Sequence, residues 1–242
     1  MATLPYLTAD QRPDTTAILN LAPQKGSVEY ETDRTIFKTT RALKDTPYWD
    51  LATRDARLDL PSLMANFDCA LGTKIDLASM PALKTLMSRS LRDALVAMNA
   101  PKRANKRARP FLIDEGPVCE PKEHLTSYDF PSGHSAWGWT IGLIFAEMAP
   151  DRATDILERA RAYAESRVIC GAHNESAIVA GETIAGTVVA VLHSSPAFTS
   201  DLAKARAELV AQRKAVSADA GLCKAEHDLI ASEHDLLAKP PY

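Results

Sequence analysis

The sequence predicts an all-α protein that folds as a single-domain helical bundle. Glycine is scarce, with 10 residues in 242, and aromatic residues make up only 6% of the chain, a composition that favours helix over sheet. Apolar residues recur at helical spacing in several long segments. No segment of useful length alternates apolar and polar residues, as a half-buried strand does.

The order of the helices follows from their periodicity and end signals. The first 30 residues have three prolines and little periodicity, and predict an extended arm lying over a helical domain of residues 31–242. Thr46 before Pro47 is typical of an N-cap followed by proline at the first helical position. A long amphipathic helix begins near Leu83 and is expected to end at Pro101. The expected helices are 35–43, 48–56, 83–100, 134–148, 152–166 and 175–192, followed by two charged helices within 199–237.

Charge and hydropathy argue against several classes of partner. The formal net charge is −3 at pH 7, so no overall basic field would attract nucleic acid or anionic lipid. The longest uncharged apolar segments have ten and twelve residues. A membrane span needs about 20, so none is expected. No secretory signal follows Met1, which fits a cytosolic protein or an exported one whose signal has been removed.

The four cysteines, Cys69, Cys119, Cys170 and Cys223, include no CxxC pair, which argues against a zinc site. Neither a metal nor a cofactor is expected. Two disulfides in any of three pairings and four reduced thiols both remain open at this point. The sequence does not indicate the oligomeric state, and a homo-oligomer is compatible with it.

Three segments carry residues suited to binding a phosphate group. Residues 102–109 hold five cations, including Lys102 and Arg109. Ser132 and Gly133 open an apolar helix, where free backbone N–H groups and the helix dipole favour an anion, and His134 follows them. Arg167 and His173 precede the next apolar helix.

Together these residues predict phosphoryl-transfer chemistry. Cations and N–H groups stabilise the charge on the equatorial oxygens. One histidine can attack phosphorus while the other protonates the leaving oxygen. No aspartate-rich metal cage accompanies them, which favours a metal-free mechanism.

The pattern of these segments resembles the three-part signature of the type 2 phosphatidic acid phosphatase superfamily, which also contains the vanadium haloperoxidases. The parts are separated by 20 and 31 residues and read Lys102-x6-Arg109-Pro110, Pro131-Ser132-Gly133-His134 and Ser166-Arg167-x5-His173. Further segments are similar to the class A bacterial non-specific acid phosphatases, namely Phe37-x-x-Thr40-Arg41, Thr46-Pro47-x-Trp49, Ser127-Tyr128 and Ser166 to Gly171. The similarity covers roughly residues 30 to 230.

The resemblance implies a periplasmic acid phosphatase, exported by a signal peptide since removed, with some cysteines paired. It implies hydrolysis of phosphate monoesters through a phosphohistidine on His173, with His134 as general acid and phosphotransferase activity as a side reaction. Inorganic phosphate or vanadate would bind the same site. The residues that match the family's phosphate binders are Lys102, Arg109, Ser132, Gly133 and Arg167.

Two positions depart from the family pattern. The family has an aspartate four residues after the nucleophilic histidine, where this chain has Ala177, and Asp129-Phe130 is inserted before Pro131. Without the carboxylate, the His173 ring is expected to be free in tautomer, with Ser176 as a weak substitute acceptor. Ala177 is therefore expected to weaken turnover, and Ala177→Asp to raise kcat by about 10- to 10⁴-fold. Two alternatives remain open, a phosphate- or phosphoester-binding protein with little or no turnover and a vanadate-dependent peroxidase.

Overall fold

The computed structural model describes residues 4–237, and within that range the protein is all-α, without a strand. This confirms the predicted fold class. Short 3-10 turns join some of the helices. The helices are α1 (Thr15–Ile18), α2 (Val28–Thr40), α3 (Pro47–Asp55), α4 (Leu60–Ala65), α5 (Asp68–Leu71), α6 (Pro81–Asn105), α7 (Gly133–Met148), α8 (Ala153–Cys170), α9 (Glu175–Leu192), α10 (Pro196–Ala215) and α11 (Ala220–Leu237).

Helix α7 lies at the centre of the bundle and packs against α6, α8 and α9. Ten of its 16 residues are buried, so the sequence of this helix is apolar on nearly every face. Gly142 brings α7 close to α8, because a Cβ atom at that position would lie 2.6 Å from the Ala160 Cβ. The glycine therefore sets the spacing of α7, which begins at Gly133, and α8, which carries Arg167 in its last turn.

Helix α6 continues past Pro101 to Asn105, so the prediction that Pro101 ends this helix is wrong. Proline has no N–H to donate to the carbonyl four residues earlier, that of Ala97. The Ala97 carbonyl instead accepts a hydrogen bond from the Thr15 hydroxyl at 2.5 Å, and this bond joins the N-terminal segment to α6. The extra turn carries Lys102.

Residues 4–27 contain the single short helix α1, and α2 begins at Val28, earlier than the expected start at residue 35. The N-terminal segment lies against α6, where the Asp93 carboxylate accepts the backbone N–H groups of Tyr6 at 2.7 Å and Leu7 at 3.2 Å. Both residues belong to the main apolar core. The segment is thus anchored by burial and by hydrogen bonds to a buried acid.

Two disulfides join distant segments, Cys69 to Cys223 and Cys119 to Cys170. The second one links the connection between α6 and α7 to the last residue of α8. The backbone of the two cysteines is also bonded, since the Cys119 N–H donates to the Cys170 carbonyl at 3.0 Å. This bridge holds the connection between Arg109 and Ser132 against the helix that carries Arg167.

Helix α9 has the length and hydropathy to cross a membrane, a test that the buried core helix of a soluble protein also passes. Among residues 4–237 it is the single helix that meets this criterion. In the structure its buried face, which includes Ala177, Ile184 and Val188, packs against α7 and α6.

Candidate active site

The structure brings the two histidines and the three cations of the predicted site together at one end of the bundle. Lys102 lies in the last turn of α6, His134 in the first turn of α7 and Arg167 in the last turn of α8. Arg109 and His173 lie in the connections, and their Nη1 and Nε2 atoms are 3.2 Å apart. Segments separated by tens of residues in the chain thus meet at a single cluster.

The connection that carries His173 is fixed by hydrogen bonds to the end of α8. Gly171 adopts a left-handed conformation with φ of 79°, which ends the helix. The N–H groups of Ala172 and His173 then donate to the Arg167 carbonyl at 3.0 and 3.2 Å. Arg41 donates to the last carbonyls of α8, those of Val168 and Ile169, at 2.8 and 2.7 Å. His173 is therefore held on a rigid turn.

Both ring nitrogens of His173 have partners that define the tautomer. Arg109, which can only donate, contacts Nε2 at 3.2 Å, so Nε2 carries the lone pair. Asp129 Oδ1 lies 3.0 Å from Nδ1, so Nδ1 carries the hydrogen and donates it. The nitrogen with the free electron pair therefore faces the cations.

The Asp129 carboxylate is buried and held by further donors. Asn174 donates its backbone N–H to Oδ1 at 3.1 Å and its side-chain amide to Oδ2 at 2.8 Å. Arg107 Nε lies 3.6 Å from Oδ2. Arg107 also pairs with Asp33 at 2.7 Å, so one buried guanidinium lies between two carboxylates.

The three cations are anchored to the backbone. Arg109 donates to the Ala172 carbonyl at 2.7 Å and to the Ser127 carbonyl at 2.8 Å. Lys102 donates to the Tyr128 carbonyl at 2.7 Å. Arg167 donates to the Ala52 carbonyl and lies 3.5 Å from Glu120 Oε1. The carbonyl oxygens leave the charges of Lys102 and Arg109 uncompensated, and Glu120 compensates the charge of Arg167 only in part. The net positive charge of the cluster therefore favours the binding of an anion.

The turn before α7 supplies polar groups at the helix N-terminus. The Ser132 hydroxyl accepts the Ser135 N–H at 3.3 Å and keeps its own hydrogen available to donate. The Ser132 N–H donates to the Ala177 carbonyl at 2.9 Å, which fixes the turn against α9. Gly133 and His134 occupy the first helical positions, where an N–H has no acceptor within its own helix.

His134 has a different environment from His173. Its Nε2 lies 3.2 Å from the Ala56 carbonyl, an acceptor, so Nε2 carries a hydrogen and Nδ1 is the nitrogen that titrates. Its ring packs against Tyr163, with ring centroids 6.2 Å apart. No carboxylate contacts His134 among the residues that the structure describes.

Burial and the neighbouring cations shift the ionisation of the site. Burial, Arg109, Lys102 and Arg167 hold the pKa of His173 well below 6.5, and burial, Arg167 and His173 do the same for the pKa of His134. Burial and Arg109 lower the pKa of Lys102 from 10.5 to about 8. Burial raises the pKa of the Asp129 carboxyl, against the opposing effect of Arg107 and Asn174. Each of the two histidines is therefore neutral in the free site near neutral pH.

The sequence did not identify Asp129 and Arg107 as site residues. The insertion at 129–130 and the alanine at 177 were both visible departures, but their connection depends on the fold. The expectation that the His173 ring is free in tautomer is wrong, because Asp129 contacts it. Ser176 is not the substitute acceptor either, since its hydroxyl donates to Asp33 at 2.6 Å and accepts from Arg107 at 2.6 Å.

Comparisons with known proteins show the family of this chain. Residues 82–199 match the model of the PAP2 superfamily, a range that contains all seven predicted site residues. An acid phosphatase of Zymomonas mobilis is 38% identical over 84% of this chain and 79% of its own. The chain belongs to the PAP2 superfamily.

Two further relatives of this PAP2 chain are named non-specific acid phosphatases. The one from Providencia stuartii is 32% identical over 86% of each chain. The one from Salmonella typhimurium is 29% identical over 85% of this chain and 84% of its own. The similarity to the acid phosphatases thus extends well beyond the three signature segments.

Within residues 4–237, no group of three or more His, Cys, Asp or Glu side chains is arranged to hold a metal ion.

Proposed function

We propose that this PAP2 protein is a metal-independent acid phosphatase that hydrolyses phosphate monoesters through a phosphohistidine on His173. The observation that carries the proposal is the position of His173. Its Nε2 lone pair points at Arg109 among three cations, while its Nδ1 hydrogen is held by a carboxylate. A nucleophile in such a place meets a phosphate that the cations have already bound and oriented.

In the first step, the Nε2 lone pair of His173 attacks phosphorus. The N–P bond forms as the bond from phosphorus to the ester oxygen breaks. The leaving oxygen takes a proton from the imidazolium of His134 and departs as an alcohol. Lys102, Arg109, Arg167 and the N–H groups at Gly133 stabilise the charge on the other phosphate oxygens.

In the second step, water replaces the histidine. His134, now neutral, accepts a proton from a water molecule as its oxygen attacks phosphorus. The N–P bond breaks, inorganic phosphate leaves, and His173 and His134 return to their starting protonation states. When an alcohol takes the place of water, the same step transfers the phosphoryl group to it.

The ionisation of His134 favours acidic conditions. The general acid must be protonated, yet its pKa in the free site is well below 6.5. Activity that depends on this proton therefore rises as the pH falls. A bound phosphate adds negative charge beside His134 and raises its pKa, which improves the acid in the substrate complex.

The same proposal places the protein in the bacterial periplasm. All four cysteines form disulfides, which persist in oxidising compartments. The relatives that are named non-specific acid phosphatases are bacterial proteins. The alternative of a phosphate-binding protein without turnover depended on Ala177, and the Asp129 contact removes that reason for it.

Phosphate release from para-nitrophenyl phosphate at acidic pH tests the proposal. We expect turnover that survives EDTA and is inhibited by vanadate, whose five-coordinate form resembles the transition state. His173→Ala is expected to lower kcat by about 10³-fold or more and to abolish acid-labile phosphoenzyme. Loss of activity in EDTA with recovery on added zinc or magnesium would refute the metal-free mechanism, and full activity in His173→Ala would refute the nucleophile.

A further inference from the structure

We infer that Asp129 is the positioning residue of His173, and that the inserted Asp129-Phe130 and the small residue Ala177 together relocate the carboxylate from helix α9 to the segment before α7. The inference rests on the proposed function. It concerns how this chain differs from the family pattern that its signature resembles, in which an aspartate follows the histidine by four residues. Three observations support it.

The first observation is the bonding of the carboxylate. Oδ1 lies 3.0 Å from His173 Nδ1, and Asn174 bonds both oxygens, at 3.1 and 2.8 Å. The Asp129 N–H donates to the Arg107 carbonyl at 2.9 Å, which fixes the backbone of the residue as well. A carboxylate with both oxygens engaged cannot rotate away from the ring. It therefore holds the Nδ1–H tautomer and keeps the lone pair on Nε2.

The second observation is the packing of the other inserted residue. Phe130 is buried in a small apolar cluster with Ala177, Ala180 and Ala22. Ala177 has no exposed surface in this cluster. A larger side chain at 177 would enter the cluster that Phe130 helps to fill. The small alanine therefore suits the insertion, and Phe130 has a defined place beside α9.

The third observation is the charge balance. A carboxylate at Asp129 with no cation near it would be costly in this buried site. Arg107 provides the countercharge at 3.6 Å, and is itself anchored by Asp33 at 2.7 Å and by the Ser176 hydroxyl at 2.6 Å. This network stabilises the ionised form, which can then stabilise the imidazolium cation that forms as the N–P bond develops.

Asp129→Asn keeps the size of the side chain and removes its charge. The new amide can donate to Nδ1 and so favour the tautomer with hydrogen on Nε2, which cannot attack phosphorus. We expect kcat to fall by about 10²- to 10⁴-fold, the range that acid–base groups contribute and that includes the cost of neutralising the orienting carboxylate of a serine protease triad. The dissociation constant for inorganic phosphate should change by less than about threefold, because the anion donors are untouched and phosphate binds without a bond to His173.

Asp93→Asn is the matched control. Asp93 is also a buried carboxylate, but it accepts the backbone N–H groups of Tyr6 and Leu7 and lies outside the network around Asp129. Its substitution is expected to lower the thermal midpoint without a comparable loss of kcat. If Asp93→Asn lowers kcat as much as Asp129→Asn does, or if Asp129→Asn retains full kcat, the positioning role is refuted.

Nitrogen-15 NMR tests the inference on the tautomer of His173 in the wild-type protein itself. The resonances of His173 are assigned by their loss in His173→Ala. We expect the Nδ1–H tautomer in the wild type at neutral pH, and a shift toward the Nε2–H tautomer in Asp129→Asn. An Nε2–H tautomer in the wild type would overturn the inference.

These measurements separate the two proposals. A wild type that hydrolyses no phosphomonoester while its His173 shows the Nδ1–H tautomer would refute the phosphatase and leave the Asp129 contact intact. An active wild type with an Nε2–H tautomer would retain the phosphatase and refute the positioning role.

Discussion

His173 lies between a carboxylate and a guanidinium, whereas His134, on the other side of the same cluster, lies between a backbone carbonyl and the Tyr163 ring. Both rings are buried, and the neighbouring cations lower the pKa of both. The difference is in what each ring does with a positive charge. In the proposed mechanism, Asp129 stabilises the cation that His173 carries once it has bonded to phosphorus. The carbonyl beside His134 provides less stabilisation for a cation, which suits the proposed role of general acid.

The largest expected effect is a loss of kcat in His134→Ala that depends on the leaving group of the substrate, whereas the loss in His173→Ala does not. His134→Ala removes the proton donor and should lower kcat by about 10²- to 10⁴-fold on an alkyl phosphate, whose alkoxide leaves poorly without a proton. The loss should be much smaller on para-nitrophenyl phosphate, because nitrophenolate leaves without one. His173→Ala is the control, since it should remove activity on both substrates alike.

Equal losses for the two substrates in His134→Ala would contradict the role of general acid. His134 would then act on the phosphate oxygens that stay bound to phosphorus, and not on the leaving oxygen.

A second prediction concerns Ala177→Asp, for which the structure reverses the sequence-based expectation of a higher kcat. The new carboxylate would enter the apolar cluster with Phe130 while Asp129 already holds His173. We expect no gain in kcat and a free energy of unfolding lowered by about 2–4 kcal/mol, because a buried charge lacks a partner there. Chemical denaturation and steady-state kinetics measure the two quantities.

Ala180→Asp is the matched control, since Ala180 is buried in the same cluster one turn further along α9. Both variants should be destabilised to a similar extent. A rise in kcat of about tenfold or more in Ala177→Asp alone would mean that the Asp129 contact leaves His173 incompletely oriented.

The smallest effect concerns Lys102, whose charge contributes to the depressed pKa of His173. The pKa of Lys102 itself is lowered to about 8, so the side chain loses its proton as the pH rises through that value. The neutral amine no longer attracts phosphate, and KM should rise by up to about tenfold above this pH. Bound phosphate raises the pKa of Lys102, so kcat should respond only at higher pH.

Lys102→Arg provides the control, because arginine keeps its charge throughout this range. The alkaline rise in KM should be absent in that variant or move to higher pH. If KM rises at the same alkaline pH in Lys102→Arg as in the wild type, a group other than Lys102 causes the rise.

Much of the fold could be predicted from local patterns. The apolar segments that became α7, α8 and α9 were recognisable from their period, and their starts lie within one residue of expectation. Pro101 was misjudged because the cost of the missing hydrogen bond depends on what else can donate to the Ala97 carbonyl. The donor is Thr15, 82 residues away in the sequence.

The site residues could be predicted because each of the three segments has its own local chemistry. A lysine on a helix end, a serine before an apolar helix and an arginine followed by a histidine all suit anion binding for reasons that a short segment contains. The disulfides were not predictable in the same way, since four cysteines allow three pairings and only the packing of α5, α8 and α11 selects one.

The proposed chemistry of the site could therefore be predicted from the sequence, since the residue types themselves indicate cations, N–H donors and imidazoles. The tertiary structure decided which group completes His173. An acid four residues after the histidine would be a neighbour through local geometry, because α9 begins two residues after His173, and the sequence shows that this acid is missing at Ala177. An acid 44 residues away becomes a neighbour only when α7 and α9 pack together, because the partners of a side chain in a folded protein depend on distance in space.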